Sequence, residues 1–136
     1  LYEYDVRIFN EKRQLILQDL IELRTKINPD LVLIPALSDV HQDHQTISNE
    51  GLRAFKFSSI LGYEMPWNNF SFESSSFVFL EEKHIQNKID ALKEYKSQSK
   101  RSYANEEFIR SLARTRGVQI NTHYAEAFQV IRWLII

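Results

Sequence analysis

Apolar positions along this chain follow two rhythms, helical spacing in some stretches and short unbroken runs in others. Ile16, Leu20, Leu23 and Ile27 recur at helical spacing, with Glu11, Lys12, Asp19, Glu22 and Lys26 on the remaining positions. This predicts an amphipathic helix over 11–27, with Asn10 as its N-cap and Asn28-Pro29 as its stop. Leu31, Val32, Leu33 and Ile34 then form a continuous apolar run, the pattern of a strand buried on both faces of a parallel sheet. Pro35 ends regular pairing, since it has no N–H to donate.

The same rules carry the reading to the end of the chain. A helix is expected over 43–57, presenting Ile47, Leu52 and Phe55 and broken by Ser58 and Ser59. Ile60–Glu64 reads as a strand, Pro66–Asn69 as a structured turn, and Phe72 with Phe77–Leu80 as a further strand approached through Ser74–Ser76. Ile85, Ile89 and Leu92 mark the inner face of a helix over 81–95, followed by a polar loop over 98–104. Asn105 caps a helix to Arg116, with Gly117 as its C′ residue, and Tyr124–Ile136 is a strand rich in aromatic and β-branched residues. Residues 6–9 are too short a run to classify.

Helix followed by buried strand is half of a βαβ unit, so the expected class is α/β. The strand that should precede the first helix is not in the sequence, and the opening LYEYDVRIF already looks ordered. The expectation is therefore a sheet whose N-terminal strands are missing from this chain. No repeat, low-complexity tract or linker divides it, which suggests a single domain over 1–136.

Composition narrows the function classes. The chain has 136 residues, 43% hydrophobic and 26% charged, with a net charge of −1 and no basic block, so electrostatics offers no case for nucleic acid. No apolar run reaches the roughly 20 residues needed to cross a bilayer, which argues against a membrane span. There is no cysteine, so disulfides and thiolate zinc sites are excluded and any metal must be held by His and carboxylates. A cytoplasmic location fits this composition.

The chemistry concentrates in Leu31–His44, LVLIPALSDVHQDH. The loop after the apolar strand carries Asp39, His41, Asp43 and His44, and in open α/β sheets ligands bind beyond the carboxyl ends of the strands. His41 and His44 are three apart, so one helical turn puts both imidazoles on one side. One ring can ligate a divalent metal, while the other donates a proton or holds an oxyanion. Asp39 and Asp43 are candidate partners that fix ring tautomers. The blander alternative is a polar loop with Asp43 helping the next helix start.

Other residues carry weaker signals. Trp67, His123 and Glu126 are candidate substrate-binding groups: Trp67 because aromatic rings beside a turn often stack on sugars, His123 because it precedes the last strand. Glu64 and Glu126 each lie close to a Tyr at a strand, as a buried partner or a rim residue. His84 reads as an exposed helix-face residue. Lys96, Lys100, Arg101, Arg110, Arg114 and Arg116 form either a solvated basic face or an anion-binding cluster.

Four segments together resemble the PIG-L/LmbE-like N-acetylglucosaminyl deacetylase family. They are PDLVLIPALSDVHQDH at 29–44, YEMPWN at 63–68, the K-x2-AL-x2-Y-x-SQ pattern from Lys88 to Gln98, and YAEAF at 124–128. In order and spacing the resemblance covers nearly all of the chain, and bacterial sugar or polysaccharide deacetylases are the sub-group it resembles most. It implies a Rossmann-like fold, a mostly parallel sheet flanked by helices, and zinc-dependent removal of an N-acetyl group from a GlcNAc-type sugar.

In that family an early His-Pro-Asp-Asp motif supplies two zinc ligands and a general base, and a later His-x-Asp-His motif supplies the third ligand. The resemblance makes His44 that Zn2+ ligand. It makes His41 the group that protonates or stabilises the tetrahedral intermediate, and Asp43 the support for the charge and orientation of His41. The sequence departs from the family in having no HPDD-like segment. The expectation is an incomplete zinc site in this chain, inactive alone, with a small-molecule or glycan partner carrying an N-acetyl sugar and a homo-oligomeric state. The alternatives are a non-catalytic sugar-binding or assembly module of the same fold, and an unrelated metallohydrolase using the same two histidines.

Overall fold

A computed structural model describes residues 2–96 and 101–135. In chain order the elements are α1 (Arg13–Ile27), β1 (Leu31–Pro35), α2 (Gln42–Ala54), β2 (Ser59–Tyr63), β3 (Ser76–Leu80), α3 (Glu82–Lys93), α4 (Glu106–Gln119) and β4 (Tyr124–Arg132). The strand order is β1-β2-β4-β3, with β1 and β2 parallel and β2 and β4 antiparallel, so this α/β sheet is mixed. The chain divides into two compact units, residues 1–75 with 128–136, and residues 76–127. Residues 97–100 lie outside the description, and with them Lys100, Gln98 and part of the expected polar loop.

In the first unit, Leu17, Ile34, Ala54, Phe55 and Ile60 form the core, joined by Leu20, Leu23, Val32 and Ile131. The helix over 11–27 is present, but Lys12 rather than Asn10 is its N-cap, with no side-chain cap. Backbone bonds from Glu11 and Lys12 to Ile8 and Phe9 build a turn there instead. Ile27, expected on the apolar stripe, is 60% exposed, because the chain has already turned away at Asn28, a left-handed C-cap with φ 47°.

Strand β1 also departs from its expected two-sided burial. Alternate residues of a strand face opposite sides. Val32 and Ile34 pack on the core, whereas Leu31 and Leu33 are 47% and 52% exposed. Among the described residues β1 is the edge of the sheet, and its second face is only partly covered.

Helix α2 is shorter than the predicted 43–57, and its buried side is mainly polar: Asp43, Thr46, Ser48 and Glu50 lie inside with Gly51 and Ala54. Hydrophobic spacing could not reveal this, because groups such as Ser48 and Glu50 are held inside by their hydrogen bonds rather than by apolarity. Ser48 donates to the Pro35 carbonyl at 2.8 Å. The Glu50 carboxylate, 1% exposed, receives Arg13 of α1 on one oxygen and Arg53 on the other. Ser58 and Ser59 do more than end the helix: Ser58 Oγ donates to the Pro29 carbonyl and Ser59 N to that of Asp30.

In the second unit Ile85 and Ile89 of α3 pack on Ile109 and Ala113 of α4, as the spacing predicts. Asn105 does cap α4, accepting from Phe108 N at 2.8 Å. Exposed His84 closes a capping box on α3, its Nδ1 accepting from Glu81 N. Gly117 is not a C′ residue, since α4 continues to Gln119. Its value is the missing side chain: a Cβ there would stand 2.7 Å from the His123 carbonyl oxygen and 2.8 Å from that of Thr122. Strand β4 ends at Arg132, short of the expected Ile136, which lies outside the described residues. Among the described residues no helix is long and apolar enough to cross a membrane.

Gly117→Ala should therefore push backbone against backbone, an overpacking that typically costs about 1–3 kcal/mol. Urea unfolding of the variant should show a lowered midpoint, and an unchanged midpoint would mean the 122–123 turn moves aside freely.

Candidate functional site

The site lies in the first unit, where β1 and β2 end side by side. Pairing of β1 with β2 continues one step past Pro35, through Ala36 N to the Tyr63 carbonyl at 3.1 Å. The chain then turns at Asp39, whose N–H donates to the Ala36 carbonyl. From β2 the turn over 65–69 folds onto this loop: Val40 N donates to the Asn68 carbonyl, Asp39 and Asn69 form a β-bridge, and Asn69 Nδ2 donates to Ser38 Oγ. Asn69 also closes its own turn by accepting from Met65 N at 2.7 Å.

The two histidines stand at the start of α2. His41 is the N-cap, and its Nδ1 accepts from Asp43 N at 3.2 Å. His44, one turn on, places its Nδ1 2.7 Å from Asp39 Oδ2. The rings stack with centroids 4.5 Å apart and planes 28° from parallel. Asp39 is 1% exposed, and its other oxygen accepts from His41 N at 2.8 Å. Tyr63 stands close enough for burial, and then the Asp39 charge, to raise its pKa above the usual phenol value.

The partners fix the tautomers. A carboxylate can only accept, so the proton between Asp39 and His44 sits on His44 Nδ1. In the neutral ring this leaves His44 Nε2 with its lone pair, the form that ligates a metal. His41 Nδ1 accepts, so in its neutral ring the proton is on Nε2, and that ring can donate outward. The neighbouring imidazoles thus offer opposite chemistry.

Asp43 is placed differently from its expected support of the His41 charge. It meets His41 through its backbone N–H, while its carboxylate Oδ2 accepts from Arg7 N at 2.7 Å. Oδ1 of this residue, itself 5% exposed, has no hydrogen-bond partner. Arg7 is held in the left-handed region, φ 73°, with its carbonyl accepting from Gln42 Nε2 at 2.8 Å.

Of the remaining sequence candidates, one belongs to the turn that folds onto this loop and two belong to the second unit. Trp67 sits 39% exposed in the 65–69 turn. His123 and Glu126 belong to the second unit, where Arg114 meets His123 and Lys88 pairs with Glu126. The basic cluster is largely engaged within that unit: Arg110 pairs with Glu106 and Glu82, which raise its pKa, and Arg114 donates to the Thr122 and His123 carbonyls. Sequence reasoning placed Tyr63 and Asn68 in the YEMPWN segment and Asn69 in the Pro66–Asn69 turn, but gave none of them a role at the site. Two asparagines closing a Pro-Trp turn were the available signal.

A metal fits this donor set only in part. His44 has the carboxylate-backed imidazole of a metal ligand, but among the described residues no group of three or more His, Cys, Asp or Glu could hold an ion.

No protein-family model and no curated sequence matches the chain. Solved structures do. Teicoplanin deacetylase Orf2, in its zinc-inhibited form, superposes with a TM-score of 0.71 at 17% identity, over 94% of this chain and 54% of that one. N,N'-diacetylchitobiose deacetylase from Pyrococcus horikoshii matches with a TM-score of 0.67 at 19% identity, over 88% and 51%. GalB, the 4-carboxy-2-hydroxymuconate hydratase from Pseudomonas putida KT2440, matches with a TM-score of 0.67 at 17% identity, over 90% and 60%. The chain spans between half and three fifths of the length of these structures, and over most of its own length it has their PIG-L/LmbE-like fold.

His41 has a structural duty that any mutational test of the site must separate from chemistry. His41→Ala removes the N-cap acceptor, and such losses typically cost about 1 kcal/mol. His41→Asn keeps an acceptor and should lose little. Denaturant unfolding of the two variants checks this, and equal stabilities would show the cap to be idle.

Proposed function

We propose that this chain carries part of the active site of a zinc-dependent N-deacetylase, which hydrolyses the N-acetyl group of an N-acetylglucosamine-type sugar or glycoconjugate. The observation that carries this reading is the pair of stacked histidines with opposed tautomers beside buried Asp39. The fold shared with two deacetylases supports it.

His44 would hold the metal through Nε2, and the rest of the ligand set would come from groups other than the described residues, among which no cluster of three or more candidate ligands exists. Zinc, when bound, supplies Lewis-acid polarisation of the amide carbonyl and lowers the pKa of its water. His41 would donate a hydrogen bond from Nε2–H to the oxygen that gains charge as the amide carbon becomes tetrahedral, keeping its proton throughout. Asp43 holds His41 in that tautomer through its backbone N–H. Trp67 is the candidate platform for a sugar ring. A second reading, a non-catalytic sugar-binding module, is favoured by the single ligand of the described residues.

Zinc content and kinetics separate these readings. In the active, zinc-loaded protein His44→Ala should lose metal and activity together. His41→Asn, which preserves the cap, should keep its zinc and lose about 100- to 1000-fold in kcat, the usual range for a transition-state donor, with little change in KM. Equal loss of zinc in both variants would overturn the division of roles. An unmutated protein that binds N-acetyl sugars yet never cleaves them would favour the module.

We also propose self-association. An uncharged edge strand with exposed Leu31 and Leu33 is a ready template for pairing with a second copy. Light scattering of the 136-residue chain should give an oligomer that Leu33→Lys dissociates. A monomer in both proteins would refute it.

A further inference from the structure

Both imidazoles depend on a residue outside the His-x-Asp-His pattern. We infer that Asp39 is the positioning residue of the site, setting His44 in the Nδ1–H tautomer while fixing the backbone from which His41 projects. The inference rests on the deacetylase reading only for what the tautomers are used for. The assignment itself stands on the local geometry.

Each Asp39 oxygen has one task. Oδ2 lies 2.7 Å from His44 Nδ1, and Oδ1 accepts the His41 N–H at 2.8 Å. With the residue 1% exposed, water cannot replace either bond. The carboxylate is held in turn by its own backbone, through the Asp39 N–H to the Ala36 carbonyl and the bridge to Asn69. A free neutral imidazole favours its proton on Nε2, which would turn an N–H toward any metal. Asp39 reverses that preference at His44 and leaves His41, capped by Asp43 N, in the ordinary form. Asn68 Nδ2 lies 3.5 Å from the same His44 nitrogen, too far to compete with the carboxylate.

Asp39→Asn is nearly isosteric and changes the logic at one atom. Its amide oxygen can keep the His41 N–H, which turns the amide NH2 toward His44 Nδ1. That nitrogen must then accept, and the ring proton moves to Nε2.

Long-range 1H–15N correlation spectra of the 15N-labelled 136-residue chain, at a pH where both rings are neutral, read this directly. In the unmutated chain His44 should show a pyrrole-type Nδ1 and a pyridine-type Nε2, with His41 the reverse. In Asp39→Asn the His44 pattern should invert while His41 keeps its own, a selective change that general loosening of the loop would not give. A His44 proton on Nε2 in the unmutated chain overturns the inference, even if the variant fails to fold. So does an unchanged His44 pattern in a folded variant. No metal or substrate enters the measurement, so the tautomers can hold while the deacetylase reading fails, and the reverse.

Discussion

A carboxylate hidden from water is stabilised by being met on both oxygens, since an unpaired buried charge is among the costliest defects a fold can carry, and where Asp43 leaves one oxygen unmet Asp39 leaves neither. Asp39 meets this requirement where three segments come together in space. Its oxygens take the N-cap residue of α2 and a ring one turn further on, and its backbone takes the end of β1 and the turn after β2. The exit loop of β1, the start of α2 and the exit turn of β2 therefore share one set of directional bonds. Movement of the start of α2 would strand the carboxylate, and the backbone bonds to the two exits hold Asp39 in place against it, which is how a loop site acquires the fixity usually found on regular elements.

The same principle positions α2 as a body. Helices commonly dock through an apolar stripe, which leaves sliding and rotation only softly opposed. Here the buried side is set by bonds with direction: Ser48 to the Pro35 carbonyl, and Glu50 to Arg13 and Arg53. Gly51 brings the helix close enough that a Cβ would stand 3.2 Å from Ile34 Cγ2. The helix is thus anchored at its first turn by the site and at its middle by the strand that precedes the site. Packing and chemistry use one set of constraints.

This explains which parts were legible in the amino-acid order. Elements that pack by apolar periodicity were readable to within a few residues, as with α3 on Ile85 and Ile89 or β2, Ser59–Tyr63 against the expected Ile60–Glu64. The polar inner side of α2 was not, because Thr46, Ser48 and Glu50 look like surface residues until their partners are known. Gly117 was misjudged for a similar reason: a helix-ending glycine and one that yields space to a crossing backbone are identical in sequence. His41 and His44 were visible as a cluster, since spacing alone brings them to one side of a turn. Their tautomers were not, because these come from Asp39 Oδ2 and Asp43 N, and sequence separation does not say which acceptor meets which ring nitrogen.

Fold cannot choose the chemistry. The same architecture serves two deacetylases and a hydratase among the matching structures, so function has to be argued from the site. The local bonds narrow it further than the fold does. His44 has Nδ1 committed to a carboxylate, so its neutral ring can act outward only through a lone pair, as ligand or base. His41 has Nδ1 committed as an acceptor, so its neutral ring can act outward only as a donor. A reaction using both needs an electrophile or proton on one side and developing negative charge on the other. Amide hydrolysis assisted by a metal meets both demands, and that match of opposed donors to opposed needs carries the functional reading.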